Sequence, residues 1–208
     1  MEFGAFLSAD DAQRAQRTFA TLCRHSIAPL VLTGGFAIEL HRLRAGFAAQ
    51  QRPLNDIDFL VDRFDQIPTT LSKDLLLRHV HPHDPPARTL LQAVDPETAI
   101  RVDIFRAYGN MVARAVRVEL SGANLRMISL DDLAARTARL CMDLAQDTLT
   151  PAKHTRDFLR LLPMIDVRDL EPIWREHRKP GHPASFAEAA ARLTELNVAR
   201  EDLQIVPV

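Results

Sequence analysis

Val31-Leu-Thr-Gly-Gly-Phe-Ala-Ile-Glu-Leu-His41, followed after a short interval by Arg52-Pro-Leu-Asn-Asp-Ile-Asp-Phe-Leu-Val-Asp62, is the stretch that decides the fold. An apolar strand runs into the pair Gly34-Gly35, a helical pattern follows, and a second apolar strand opens with Asp56 and Asp58. A strand-to-helix turn favours a residue without a Cβ, which tolerates positive φ and lets another group approach the backbone. Strand side chains alternate between faces. Asp56 and Asp58 therefore share one face, while Ile57, Phe59 and Val61 take the other and point into a core. A third acid, Asp103, lies inside another apolar run, Ile100-Arg-Val-Asp-Ile-Phe105.

The order of these parts carries the weight. In a chain rich in aspartate an Asp-x-Asp pair arises readily by chance, and a lone Gly-Gly is mostly a turn or a point of tight helix–strand packing. Taken in sequence, the parts describe a site. Neighbouring carboxylates repel and raise each other's pKa unless a cation sits between them. Mg²⁺ takes hard oxygen ligands in octahedral geometry and leaves positions for phosphate oxygens and water. The helix expected from about Phe36 presents free N–H groups and a positive dipole end to such a phosphate. There is no Gly-Lys-Ser/Thr and no Gly-x-Gly-x-x-Gly, which excludes a P-loop and a dinucleotide fingerprint.

Gly34-Gly35, Asp56-Ile-Asp58 and the Val-Asp-Ile-Phe around Asp103 resemble the superfamily of polymerase-beta-like nucleotidyltransferases. Within it, Thr-Gly-Gly-Phe-Ala-Ile-Glu-Leu-His resembles the branch holding aminoglycoside nucleotidyltransferases and AbiEii-like abortive-infection toxins, over roughly residues 28 to 165. The resemblance implies an α/β (α+β) fold: a mixed sheet flanked by helices, with a helical C-terminal part. It implies that Asp56, Asp58 and Asp103 hold Mg²⁺, or Mn²⁺ in its place, and that Gly34 and Gly35 meet a nucleoside triphosphate such as ATP. Asp103 is also the expected catalytic carboxylate, orienting or deprotonating the acceptor hydroxyl. The implied reaction moves a nucleotidyl group to a hydroxyl on either a tRNA or a small molecule. A cognate antitoxin protein is a further partner of the toxin-like branch. The alternative is a catalytically inert nucleotidyltransferase-like binding module or toxin–antitoxin component.

The C-terminal half adds a second match. Pro151-Ala-Lys-His-Thr-Arg-Asp-Phe-Leu-Arg-Leu161 is similar to the toxin-type helix on which a Lys and an Asp face the nucleotide, and Lys153 and Asp157 match it. Four apart on a helix, the two share a face, so a surface ion pair explains them equally well. The preceding helix of that pattern carries a lysine where this sequence has Thr137, flanked by Arg136 and Arg139.

The chain's 208 residues are 47% hydrophobic and 25% charged, enough to bury a core without staples. A net charge of −1 gives no global pull toward nucleic acid, so RNA binding needs a local basic patch. Cys23 and Cys141 fall in helical patterns and read as core residues rather than a disulfide. No signal peptide and no apolar run of membrane-spanning length is evident, so a cytoplasmic location without a membrane partner is expected.

Periodicity predicts helices over 9–25, 36–47 and 70–78, strands over 29–33 and 57–61, and hairpins over 89–94/100–106 and 116–120/125–130. The second hairpin turns at Ser121-Gly-Ala-Asn124. Helices then follow over 131–146, 152–163, 168–177 and 184–195, and the tail 197–208 reads as a strand. The core, 1–130, and the helical part, 131–208, are expected to form one compact unit because no linker separates them. His79-Val-His81-Pro-His83 places three imidazoles on one face of an extended segment, a pattern that suits Zn²⁺. Its run into Asp84-Pro85-Pro86 reads more plainly as an exposed loop.

Overall fold

The apolar runs of the first 129 residues pair into one seven-stranded sheet in the computed structural model, which describes residues 1–78, 90–147 and 152–204. The chain divides into two compact units, Met1–Ser129 and Leu130–Val208. In the first, α1 (Ala9–Cys23) leads to β1 (Val31–Thr33), α2 (Gly34–Arg44), β2 (Asp56–Val61) and β3 (Leu76–Arg78). Then come β4 (Leu90–Val94), β5 (Arg101–Arg106), β6 (Val116–Leu120) and β7 (Ala123–Met127). The strand order is β3-β4-β5-β2-β1-β7-β6. β2 runs parallel to β5, and β1 parallel to β7; the remaining neighbours are antiparallel. This is the mixed α/β architecture that the sequence implies.

Alternation along β2 sets the core. Ile57, Phe59 and Val61 are buried on the face that receives α1, where Phe19 stands 6.0 Å from the Phe59 ring centroid. Phe3, Phe6 and Phe36 complete an aromatic cluster, with Phe6 and Phe36 edge-on at 5.2 Å. Such pairs contribute about 0.5–1.5 kcal/mol each beyond the area they bury. Ser8 starts α1 by accepting from the Asp11 amide at 3.2 Å, with Asp10 and Asp11 in the first turn where the helix dipole favours acids. Farther along α1, the Thr18 hydroxyl donates to Asp95 at 2.8 Å and meets Thr98 at 2.6 Å. These contacts fix the β4–β5 turn. On α2, burial holds the His41 imidazole below its ordinary pKa, and the neutral ring donates to the Ile128 carbonyl at 2.9 Å.

The interval between α2 and β2 is pinned by a buried carboxylate. Glu39 accepts from the Gln50 amide at 3.1 Å and from Arg52 at 3.2 Å, and the Arg52 amide donates to the Phe6 carbonyl at 3.0 Å. A buried carboxylate needs this kind of paired and hydrogen-bonded surrounding to stay charged.

In the second unit, α3 (Leu130–Asp147), α4 (Ala152–Leu161), α5 (Glu171–His177) and α6 (Phe186–Gln204) enclose Trp174. Its indole N–H donates to the Pro183 carbonyl at 3.1 Å, and its ring meets Phe186 edge-on at 5.8 Å. Phe158 of α4 reaches Phe186 at 6.1 Å, and His177 pairs with Asp132 at 3.0 Å with both side chains fully buried. No helix among the described residues is long and apolar enough to cross a membrane.

Four readings of the sequence need correction. Residues 70–78 are not one helix: a 3-10 turn over Thr69–Lys73 gives way to β3, whose backbone pairs with the edge of β4. A leucine run fits either period, and the open sheet edge decided it. The second hairpin closes through Ser121 and Gly122, with φ of 48° and 80°, rather than through a four-residue turn. Two left-handed residues match the right-handed twist of the strands. The tail is helical through Gln204, since Ala, Arg, Glu and Leu favour a helix and no Gly or Pro interrupts it. Cys23, at the end of α1, is exposed; only Cys141 is a core residue. The histidines at 79, 81 and 83 lie outside the described residues.

Candidate active site

Strand register assembles the acids. Thr33 of β1 pairs with Asp58 of β2, Asp58 with Asp103 of β5, and Asp103 with Gln92 of β4. Paired residues on neighbouring strands project from the same face, so these four side chains form one row across the middle of the sheet. Asp56 pairs with Arg101 one step along, on that same face. The face is opposite the one carrying Phe59. One carboxylate oxygen from each of Asp56, Asp58 and Asp103 lies within 4.8 Å of the others. The three metal-site residues expected from the sequence are therefore in one place.

Such a cluster is costly without a cation. Two unit charges at that separation repel by about 3 kcal/mol at an effective dielectric near 20. Arg101 supplies the countercharge that sequence reading missed. Its Nη2 bonds Asp56 Oδ2, and its Nε stands 3.1 Å from Asp103 Oδ2. The second contact is an ion pair only: Nε is buried and has no well-directed hydrogen-bond acceptor. Gln92, also missed, donates to Asp103 Oδ1 at 2.8 Å and fixes the orientation of that carboxylate. Arg101 was detectable from alternation, because it stands two residues before Asp103. Gln92 required the hairpin register.

The two glycines sit at the start of α2, where each leaves space for a charged side chain. α2 begins at Gly34 itself, which adopts φ of 64°. A Cβ there would overlap the Asp58 carboxylate, reaching its Cγ at 2.7 Å and its Cβ at 2.8 Å. Gly34 thus seats Asp58. A Cβ on Gly35 would meet the Arg52 guanidinium at 3.3 Å. Both glycines hold charged side chains against the start of α2.

Thr33 is the other missed residue. It occupies the N-cap position of α2 but makes no side-chain capping bond. Its hydroxyl is buried and has no hydrogen-bond partner among the described residues. An unmade buried hydrogen bond costs about 1–3 kcal/mol. A hydroxyl kept beside a carboxylate row and a helix N-terminus is suited to a ligand oxygen. For a site that takes a triphosphate, Thr33→Val is expected to melt at or slightly above the wild-type temperature, while triphosphate affinity falls about fivefold, the worth of about one hydrogen bond. Calorimetric titration beside thermal melts checks this. A variant that melts several degrees lower and binds normally assigns the hydroxyl to the fold.

Lys153 and Asp157 lie on α4 in the second unit. Lys153 is exposed and Asp157 buried, so the two do not form a simple solvated pair. Asp157 stands 3.8 Å from Arg160. Burial and the Lys153 ammonium hold the neighbouring His154 below its ordinary pKa. Thr137, at the position of the expected lysine, is buried and donates to the Leu133 carbonyl at 2.7 Å.

Three carboxylates with hard oxygen donors, gathered this closely, fit a divalent cation such as Mg²⁺. No protein-family model matches the chain, and no curated protein matches it in sequence. Solved structures do match its fold. ANT(2")-Ia in complex with adenylyl-2"-tobramycin superposes with a TM-score of 0.52 at 16% identity, over 86% of this chain and 98% of that one. The solution structure of the antibiotic-resistance factor ANT(2'')-Ia gives 0.52 at 13% identity, over 91% and 96%. An antigenic nucleotidyltransferase-like protein from Paracoccidioides brasiliensis gives 0.50 at 13% identity, over 95% and 92%. The chain has the nucleotidyltransferase fold.

Proposed function

We propose that the chain is a metal-dependent nucleotidyltransferase, moving a nucleotidyl group from a nucleoside triphosphate to a hydroxyl acceptor. The observation that carries this is the register of β1, β2 and β5, which brings a carboxylate oxygen of each of Asp56, Asp58 and Asp103 within 4.8 Å of the others beside the first turn of α2. Asp56, Asp58 and Asp103 are the residues that would hold Mg²⁺ or Mn²⁺. The bound metal would supply Lewis-acid polarisation of the phosphates and charge neutralisation at the attacking and leaving oxygens. The Thr33 hydroxyl and the free amides at the start of α2 take phosphate oxygens, in the turn made by Gly34 and Gly35.

Asp103 receives the proton. Gln92 holds its Oδ1 and so orients the carboxylate, whose Oδ2 faces Arg101 and is the oxygen that would meet the acceptor hydroxyl once the guanidinium moves away. The acceptor oxygen forms a bond to the α-phosphorus while the bond to the pyrophosphate oxygen breaks. Pyrophosphate leaves with that electron pair, and the hydroxyl proton passes to the carboxylate.

A small-molecule acceptor is favoured over tRNA. The chain's net charge of −1 gives no general attraction to a polyanion, and ANT(2")-Ia, of the same fold, holds an adenylylated tobramycin. Lys153 and Asp157 belong to the proposal as nucleotide contacts, on the match of their spacing to the toxin-type helix. Lys153→Ala is expected to weaken triphosphate binding several-fold and to leave melting almost unchanged, since an exposed ammonium contributes about 0–1 kcal/mol to stability. Equal affinities would return Lys153 to the solvated surface.

The experiment for the whole reading is calorimetric titration of each nucleoside triphosphate with and without Mg²⁺. Radiolabelled transfer to tRNA and to a panel of hydroxyl-bearing small molecules follows. Absence of metal-dependent triphosphate binding would sink it. Thr137 favours a second reading, an inert nucleotidyltransferase-like module or a toxin–antitoxin component, because its buried hydroxyl is committed to the helix backbone. That reading expects triphosphate binding without transfer to any acceptor. Growth arrest on expression, relieved by a partner protein, would identify the toxin form.

A further inference from the structure

Arg101 is poised against the acids in a way that bears on how the site loads. Its guanidinium bonds Asp56 and lies 3.1 Å from Asp103, between two of the three carboxylates that would hold the metal. The hold is incomplete. Nε lacks a directed acceptor, and the side chain is 43% exposed, so the guanidinium has a solvent-facing side and room to leave. Asp103 would not leave with it, because Gln92 anchors its other oxygen at 2.8 Å. Asp58 is seated separately, against Gly34. Asp103 and Asp58 are thus held by groups other than the arginine, whose directed bond is to Asp56.

We propose that Arg101 is a tethered countercation that competes with the divalent metal for Asp56, so that metal alone loads weakly and loads well only together with the triphosphate. This rests on the nucleotidyltransferase reading of the site. The physical reason is charge balance. Three carboxylates confined this closely gain from any cation, and a guanidinium already bound must be displaced, at least from Asp56, before a hard cation takes its oxygens. Without an anion to receive it, the displaced guanidinium returns to water and the metal gains less. A triphosphate provides that anion, since arginine pairs with phosphate as readily as with carboxylate. Arg101 thus acts as a positioning residue and makes metal and nucleotide binding mutually dependent.

The test uses Mn²⁺ alone, followed by calorimetry or by its paramagnetic signal, on the full chain and on Arg101→Gln, with Asp58→Asn as reference. Arg101→Gln is expected to bind Mn²⁺ about tenfold more tightly than wild type, because the competing charge is gone. Its melting temperature in chelator should fall, and Mn²⁺ should raise it by more than in wild type. With a non-hydrolysable triphosphate analogue present, the wild-type affinity for Mn²⁺ should rise and the advantage of the glutamine variant should shrink. If Arg101→Gln does not fold, Arg101→Lys serves in its place. It keeps the charge but loses the fork that bridges two carboxylates, and a severalfold tighter Mn²⁺ affinity is expected. A variant that binds Mn²⁺ equally or more weakly, while Asp58→Asn binds it least, overturns the arginine inference and leaves the metal site standing. Equal or absent Mn²⁺ binding by wild type, Arg101→Gln and Asp58→Asn overturns the site reading and the inference together.

Discussion

Asp58→Asn is expected to lower nucleotidyl transfer by at least about 10³-fold, equivalent to about 4 kcal/mol of transition-state stabilisation lost with the metal. The same change should leave the fold intact. Asparagine keeps the shape that Gly34 accommodates and removes one of three clustered charges, so melting in chelator should stay level or rise slightly. Mg²⁺ should then stabilise the wild type and barely affect the variant. Transfer assays with melts in chelator and in Mg²⁺ check both halves. A variant that melts many degrees lower in chelator would make Asp58 a structural acceptor and would end the metal assignment. Asp56 is a poorer choice for this test, since its loss also releases Arg101.

Gly34→Ala is expected to be among the most damaging single changes in the first unit. Left-handed φ costs a non-glycine residue about 1–2 kcal/mol, and the added Cβ must push Asp58 aside, at about 1–3 kcal/mol for forced repacking. Gly46 provides the control. Its φ is 80°, yet a Cβ there meets nothing within 4 Å. Gly46→Ala should therefore lose only the backbone part, a drop of about 3–6 °C, whereas Gly34→Ala should lose about 10 °C or more. The metal response should fall in Gly34→Ala alone, because its carboxylate is displaced. Equal melting of the two variants would show that Asp58 can move without cost, and the close seating would lose its meaning.

Much of the architecture follows from residues close in the chain. Alternation in Asp56–Val61 and Arg101–Arg106, the Gly34-Gly35 break and the long apolar periodicities of the C-terminal helices are local patterns, and local patterns are what a sequence displays directly. The acids could be picked out because buried-looking aspartates on apolar strands are unusual. Two of the errors fell where local readings tie. Leu75, Leu76 and Leu77 suit either period, and the exposed edge of β4 chose strand. Ser121 and Gly122 gave a tighter turn than the four-residue stretch suggested, because the strand register closes there.

By itself, then, the sequence determined the fold class, the face on which Asp56 and Asp58 lie, and the identity of the three carboxylates. Tertiary structure alone decided what surrounds them. That Thr33, Asp58, Asp103 and Gln92 form one row depends on the pairing of four strands drawn from segments as far apart as residues 33 and 103. That Gly34 makes room for Asp58, and that Arg101 bonds Asp56, depends on distances of a few ångströms across those pairings. Alternation along one strand tells which face a side chain takes. Only the register between strands tells which charges meet, and here it sets Arg101 against Asp56 and Asp103.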